Sequence, residues 1–120
     1  ILKLIKEKLI KSTHDVSLGG IITALAKMCI KGNKGVKLNK IKNLINKFQY
    51  FFSEDQGRYI IEISKDDLKK VKEILNSNSV HYEELGFVVE KDIIIDNEPI
   101  LGIDELIHSN NNWLKEYMIQ

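Results

Sequence analysis

A chain of 120 residues has room for one domain with one hydrophobic core, and folding at this size buries roughly 65% of the unfolded surface. Its 43% hydrophobic and 29% charged residues are ordinary for a globular domain. The 18 basic and 17 acidic residues nearly cancel, so charge selects no nucleic acid, and no apolar run approaches the ~20 residues that span a membrane.

The chain opens on Ile1, with no Met and no signal-peptide pattern, as a piece of a longer protein would. In residues 1–11, Leu2, Ile5 and Leu9 recur at helical spacing among lysines, which predicts a core-packing helix with a solvated basic face. Residues 12–20 form a polar segment that ends in paired glycines. From Leu18 to Lys31 the positions Ile22, Leu25, Ala26 and Cys29 predict a second helix, closed by Gly32 or Asn33 in the left-handed conformation. Val36–Asn39 reads as a short strand, and residues 40–50 as a helix carrying Ile41, Leu44, Ile45 and Phe48. The loop 52–57 feeds a β-branched strand over 58–64. Ser64 then caps a helix over 65–76, with Asp66 and Asp67 in its first turn and Leu68, Val71 and Leu75 on its buried stripe. Residues 82–89 and 92–96 read as two strands joined by a tight turn, and Pro99 and Gly102 end that section. Residues 103–118 form a last amphipathic helix, interrupted by the polar stretch 108–112; its Trp113 and Tyr117 suit packing on the domain or on a neighbour. The expected architecture is an α/β (α+β) sandwich: a mixed sheet of four or five strands with covering helices, in a single domain over 1–120.

Two segments carry most of the chemistry. In His14-Asp15-Val16-Ser17-Leu18-Gly19-Gly20, glycines at a helix entrance let backbone N–H groups approach an anion, and His14 is a candidate acid or base beside Asp15. The same residues serve equally as a helix cap with glycines for close packing. In Ser53-Glu54-Asp55-Gln56-Gly57-Arg58, the lone arginine offers a planar fork to a phosphate or carboxylate, or pairs inward with Glu54 or Asp55. Cys29 is the only cysteine, which excludes an internal disulfide, suits the cytoplasm, and fits a buried structural thiol among Leu25, Ala26 and Met28. His81 and His108 lack partners at metal-ligand spacing, and Phe48, Tyr50, Phe51 and Phe52 suit core or interface better than base stacking. No phosphate-loop, dinucleotide, metalloprotease or nucleophile-elbow motif occurs.

Taken together, HDVSLGG and, about 35 residues on, FSEDQGRYIIEI resemble the C-terminal domain of the phosphoribosylformylglycinamidine synthase family (large, synthetase subunit). More broadly they resemble the C-terminal domain of the aminoimidazole ribonucleotide synthetase superfamily, whose fold is therefore expected. The resemblance implies an ATP- and Mg²⁺-dependent ligase of purine biosynthesis. That enzyme activates the formamide oxygen of formylglycinamide ribonucleotide and displaces it with ammonia from a glutaminase domain or subunit. It implies that this chain is the second-half copy, partnered by ATP-binding-type domains of its own chain that cover the 14–20 turn and the 52–58 loop. ATP, metal and catalytic contacts are expected there, so no catalytic or metal residue is assigned here. His14, Asp15, Gly19, Gly20, Ser53, Glu54, Gln56 and Arg58 remain candidates for substrate or phosphate binding. Leu18 stands where the family usually has Asp, and Asp55 where it usually has Ser; both departures favour a scaffold role. A stand-alone interaction module, or another synthetase of the superfamily, is the competing reading.

Overall fold

The computed structural model describes residues 1–39 and 46–119. Its elements are α1 (Leu2–Lys6), β1 (Ser12–Asp15), α2 (Gly20–Gly32), β2 (Gly35–Leu38), α3 (Lys47–Phe52), β3 (Tyr59–Glu62), α4 (Leu68–Ser77), β4 (Gly86–Val89), β5 (Ile93–Ile95), β6 (Glu98–Leu101) and α5 (Ile103–Ile119). Of the helix expected over 40–50, residues 40–45 lie outside the described residues. Among the described residues the helix begins only at Lys47, as α3, with Asn46 extended as its cap and its side chain accepting from the Phe48 N–H at 2.9 Å. Among the described residues no helix is long and apolar enough to cross a membrane.

The strands form two sheets. β1 and β3 pair antiparallel, with His14 opposite Ile60 and Asp15 opposite Tyr59. The other four run in the order β4-β2-β5-β6, a mixed sheet in which β2 is antiparallel to β4 and parallel to β5. The segment 12–15, read from sequence as polar connection, is thus a strand; of its four residues only Thr13 favours one and Asp15 disfavours it, and the pairing with β3 supplies what local propensity lacks.

Two corrections concern the end of the chain. β4 and β5 do not pair with each other, because β2 lies between them. The three-residue connection 90–92 crosses the start of β2, where a Cβ on Gly35 would meet the Asp92 carbonyl oxygen at 2.2 Å and the Lys91 carbonyl carbon at 2.4 Å. Only glycine permits that crossing. The second correction is β6, which continues from β5 through Asp96 and Asn97, both left-handed (φ 54° and 69°), the signature of a type I′ hairpin turn. Pro99 is tolerated because β6 is an edge strand.

Apolar side chains segregate into two clusters. The larger gathers Val16, Ile21, Ala24, Leu25 and Cys29 with β2, Phe51, Ile60, Ile93 and Ile103. The smaller joins Leu4, Leu9 and Val71, with Ile61, Ile63 and Ile74 against them. β3 therefore faces both: Ile60 points into one cluster and Ile61 into the other, as strand alternation requires. The first helix is shorter than its lysine-rich pattern predicts. Lys8 turns left-handed (φ 57°) after it, and the buried residue is Leu4, while Leu2 and Ile5 stay exposed. α5 runs unbroken through the polar 108–112 stretch.

The strap over Gly35 gives a paired test. Gly35→Ala should lower stability to urea by about 1–3 kcal/mol through overpacking. Gly32→Ala, three residues earlier with nothing within 4 Å, should be neutral or stabilising by up to about 1 kcal/mol.

Candidate functional site

Both motif segments meet at one end of the β1–β3 ladder. β1 runs out through Asp15 into the Ser17–Gly20 turn, and β3 begins just after Arg58; the Val16 N–H donates to the Arg58 carbonyl at 2.9 Å and closes the join. The turn is drawn in by a close backbone approach. Gly20, at φ +71°, has its missing Cβ 2.5 Å from the Phe51 carbonyl oxygen and 2.8 Å from Phe52 Cα, so no other residue fits against the end of α3.

One hydrogen bond then links the two segments: the Gly19 N–H donates to Glu54 Oε1 at 2.8 Å. The carboxylate sits at the N-terminus of α2, where unpaired N–H groups and the helix dipole favour negative charge. An internal acid thus occupies the position the sequence offers to an outside anion. Thr23 Oγ1 donates to the Gly19 carbonyl at 3.0 Å and stiffens the same turn.

Arg58 folds back on its own loop. Nη2 donates to the Ser53 carbonyl at 2.5 Å and to Ser53 Oγ at 2.9 Å, and lies 3.3 Å from Asp55 Oδ2. Ser53 Oγ donates to Asp55 Oδ2 at 3.0 Å. The arginine pairs with Asp55, while Glu54 is engaged on Gly19 instead. His14 Nδ1 lies 2.6 Å from the Asp15 carbonyl oxygen; a carbonyl only accepts, so Nδ1 carries the proton.

An open cleft of about 330 Å³ lies between the segments, lined by Asp15, Ser17, Leu18, Glu54, Gln56 and Arg58 with Val16, Gly57 and Tyr59. Of the candidate residues the structure brings Asp15, Glu54, Gln56 and Arg58 to this cleft, with Gly19 bonded to Glu54 and Ser53 bonded to Arg58. His14 is not on its wall. Asp15 and Glu54 put two carboxylates on a wall that carries one guanidinium, whose Nη2 is engaged on Ser53. Among the described residues no three His, Cys, Asp or Glu side chains converge as a metal site. Tyr59 was not singled out from sequence, although alternation with the buried Ile60 signals its outward direction.

The rim is apolar. Leu18 is 78% exposed, Phe48 74%, Phe52 54% and Tyr59 57%. Phe48 and Phe52 stack with ring centroids 6.3 Å apart, while Phe51 between them turns into the core. Tyr50 donates to Glu83 Oε2 at 2.7 Å; burial first, then that bond and the Glu83 charge, push its hydroxyl well above the usual tyrosine range. Cys29 is buried in the larger cluster, and desolvation raises its thiol from an ordinary 9.0 to about 11.

Comparison with known proteins places this geometry. The profile described as AIR synthase related protein, C-terminal domain, matches residues 1–96. The phosphoribosylformylglycinamidine synthase subunit PurL of Pelagibacter ubique (strain HTCC1062) is 64% identical over 118 residues, which are 98% of this chain and 16% of that protein. The PurL subunit of Rhodopseudomonas palustris (strain HaA2) is 36% identical over 107 residues, 89% of this chain and 14% of its own. The chain thus spans about a sixth of the length of the curated relatives it matches. Among solved structures, Thermotoga maritima PurL complexed with ATP superposes with a TM-score of 0.70 at 20% identity, over 88% of this chain and 20% of that one. The PurLQS structure from the same organism gives 0.72 at 18% identity, over 88% and 19%. At such identity the likeness is one of fold.

Two outcomes are expected from this geometry. Glu54→Ala should cost about 1 kcal/mol in urea unfolding by uncapping α2, and Glu54→Gln, which keeps an acceptor but no charge, about half of that. The raised Cys29 thiol means the folded state holds its proton where the unfolded state has released it. Stability is therefore intact below pH 9 and falls as pH rises toward 11. Unfolding curves at pH 8, 9.5 and 11 should show this slope reduced in Cys29→Ala.

Proposed function

Because the chain belongs to the AIR synthase related protein C-terminal domain family, we propose that it is the C-terminal domain of a phosphoribosylformylglycinamidine synthase. The reaction would be the ATP-dependent conversion of formylglycinamide ribonucleotide to formylglycinamidine ribonucleotide in purine biosynthesis. The observation that carries this reading is the 64% identity to a PurL subunit across 118 of 120 residues. The two motif segments on which the family resemblance rests support it by meeting at one cleft.

Within that enzyme the domain acts as a scaffold and docking face. The Gly19 N–H and the Arg58 fork, the groups best suited to hold an anion, are spent on Glu54, Ser53 and Asp55. His14, Asp15, Gly20 and Gln56 then shape the turn and the cleft wall. The exposed rim of Leu18, Phe48, Phe52 and Tyr59 suits burial against an ATP-binding-type domain of the same chain better than contact with water. Among the described residues no three His, Cys, Asp or Glu side chains converge on a metal, and the Gly19 N–H and Arg58 Nη2 that would meet a nucleotide phosphate are engaged within the domain. Nucleotide, metal and the glutaminase partner belong to the rest of the enzyme, which is expected in the cytoplasm.

The test uses full-length enzyme. With formylglycinamide ribonucleotide, ATP, Mg²⁺ and ammonia it should release ADP and form the amidine, while residues 1–120 alone should release no ADP above a heat-killed control. A full-length protein without this turnover, or an isolated domain with it, overturns the reading. Phe52→Ser in the full chain should lower activity or stability, since the rim packs on its neighbour.

A further inference from the structure

α5 carries an apolar stripe that its own domain uses for only half its length. Ile103 is buried, and Leu106 and Ile107 pack against the larger cluster beside α2. The same helical face continues through Asn110 to Trp113, Leu114, Tyr117 and Met118, all within about 140° of arc at 100° per residue. There it is largely exposed: Trp113 is 61% exposed, Leu114 51%, Tyr117 73% and Met118 76%. The charged Lys115 and Glu116 lie off the stripe, as on a helix with a second partner. Tryptophan and tyrosine are the side chains that most often anchor interfaces.

We propose that the distal half of α5 docks on a part of the same polypeptide preceding Ile1, as a second anchor separate from the cleft rim; this rests on the synthetase reading. Two observations select that occupant. The family profile stops at residue 96, before α5, whereas the match to the 64% identical PurL relative runs over 118 residues, which are 98% of this chain and 16% of that protein. The helix therefore lies beyond the matched profile but within the match to a much longer chain. The second is area. Four such side chains offer a few hundred Å², below the roughly 800 Å² per partner of a stable complex between separate molecules. A tethered segment needs less, because the linker holds it at an effective concentration of about millimolar.

The experiment is photo-cross-linking in the full-length enzyme, with a benzophenone amino acid replacing Tyr117 in one preparation and Lys115 in another, and amidine formation measured on each. From position 117, the expected product has monomer mass and joins α5 to peptides preceding Ile1; Trp113→Glu in the same chain should abolish it. Position 115 should give none. Cross-links from 117 to a second copy, to the glutaminase subunit, to residues 1–120, or to nothing overturn the docking even where turnover is normal. Loss of turnover in the unmodified full-length protein instead overturns the synthetase reading beneath it.

Discussion

A two-stranded ladder is at best marginal in water, and the β1–β3 pair stands because apolar clusters load both faces of β3. Ile60 joins the α2 side and Ile61 and Ile63 the α1–α4 side. Everything at the cleft hangs from that wall. Its register sets Asp15 opposite Tyr59, and so brings together two segments some 35 residues apart in sequence. Without burial on both sides there would be no ladder, and the turn and the loop would have no fixed relation.

What that relation produces is a site whose polar groups mostly answer each other. Glu54 satisfies the start of α2, and Arg58 satisfies Ser53 and Asp55. Asp55 matters here: a serine at that position would leave the guanidinium without its carboxylate partner. With the Gly19 N–H and Arg58 Nη2 turned inward, the cleft wall keeps Leu18 and Tyr59 exposed.

The helices were largely legible because their periodicity is local. Ile22, Leu25, Ala26 and Cys29 mark α2, and Asn33 closes it in the left-handed conformation. Topology was not legible, because it depends on contacts between distant residues. Nothing in Phe87, Val88 and Ile93 says that β2 will slip between their strands, although Gly35 is the residue that lets it. β1 was hidden by its polar composition. At the site, the residue types were visible but their partners were not: Glu54 and Asp55 are adjacent carboxylates, and only the fold decides which one takes the helix and which the arginine.

The insertion of β2 between β4 and β5 also sets a timetable for synthesis. Gly35 pairs with Val89, and Val36 with Ile93, so both edges of β2 wait for residues made more than fifty positions later. At about 5–20 residues per second, several seconds pass in which Val36 and Leu38 leave the ribosome as a strand with two open edges. Such a strand is an aggregation hazard. Lys37, exposed at its centre between two buried neighbours, places a charge where a foreign strand would otherwise pair.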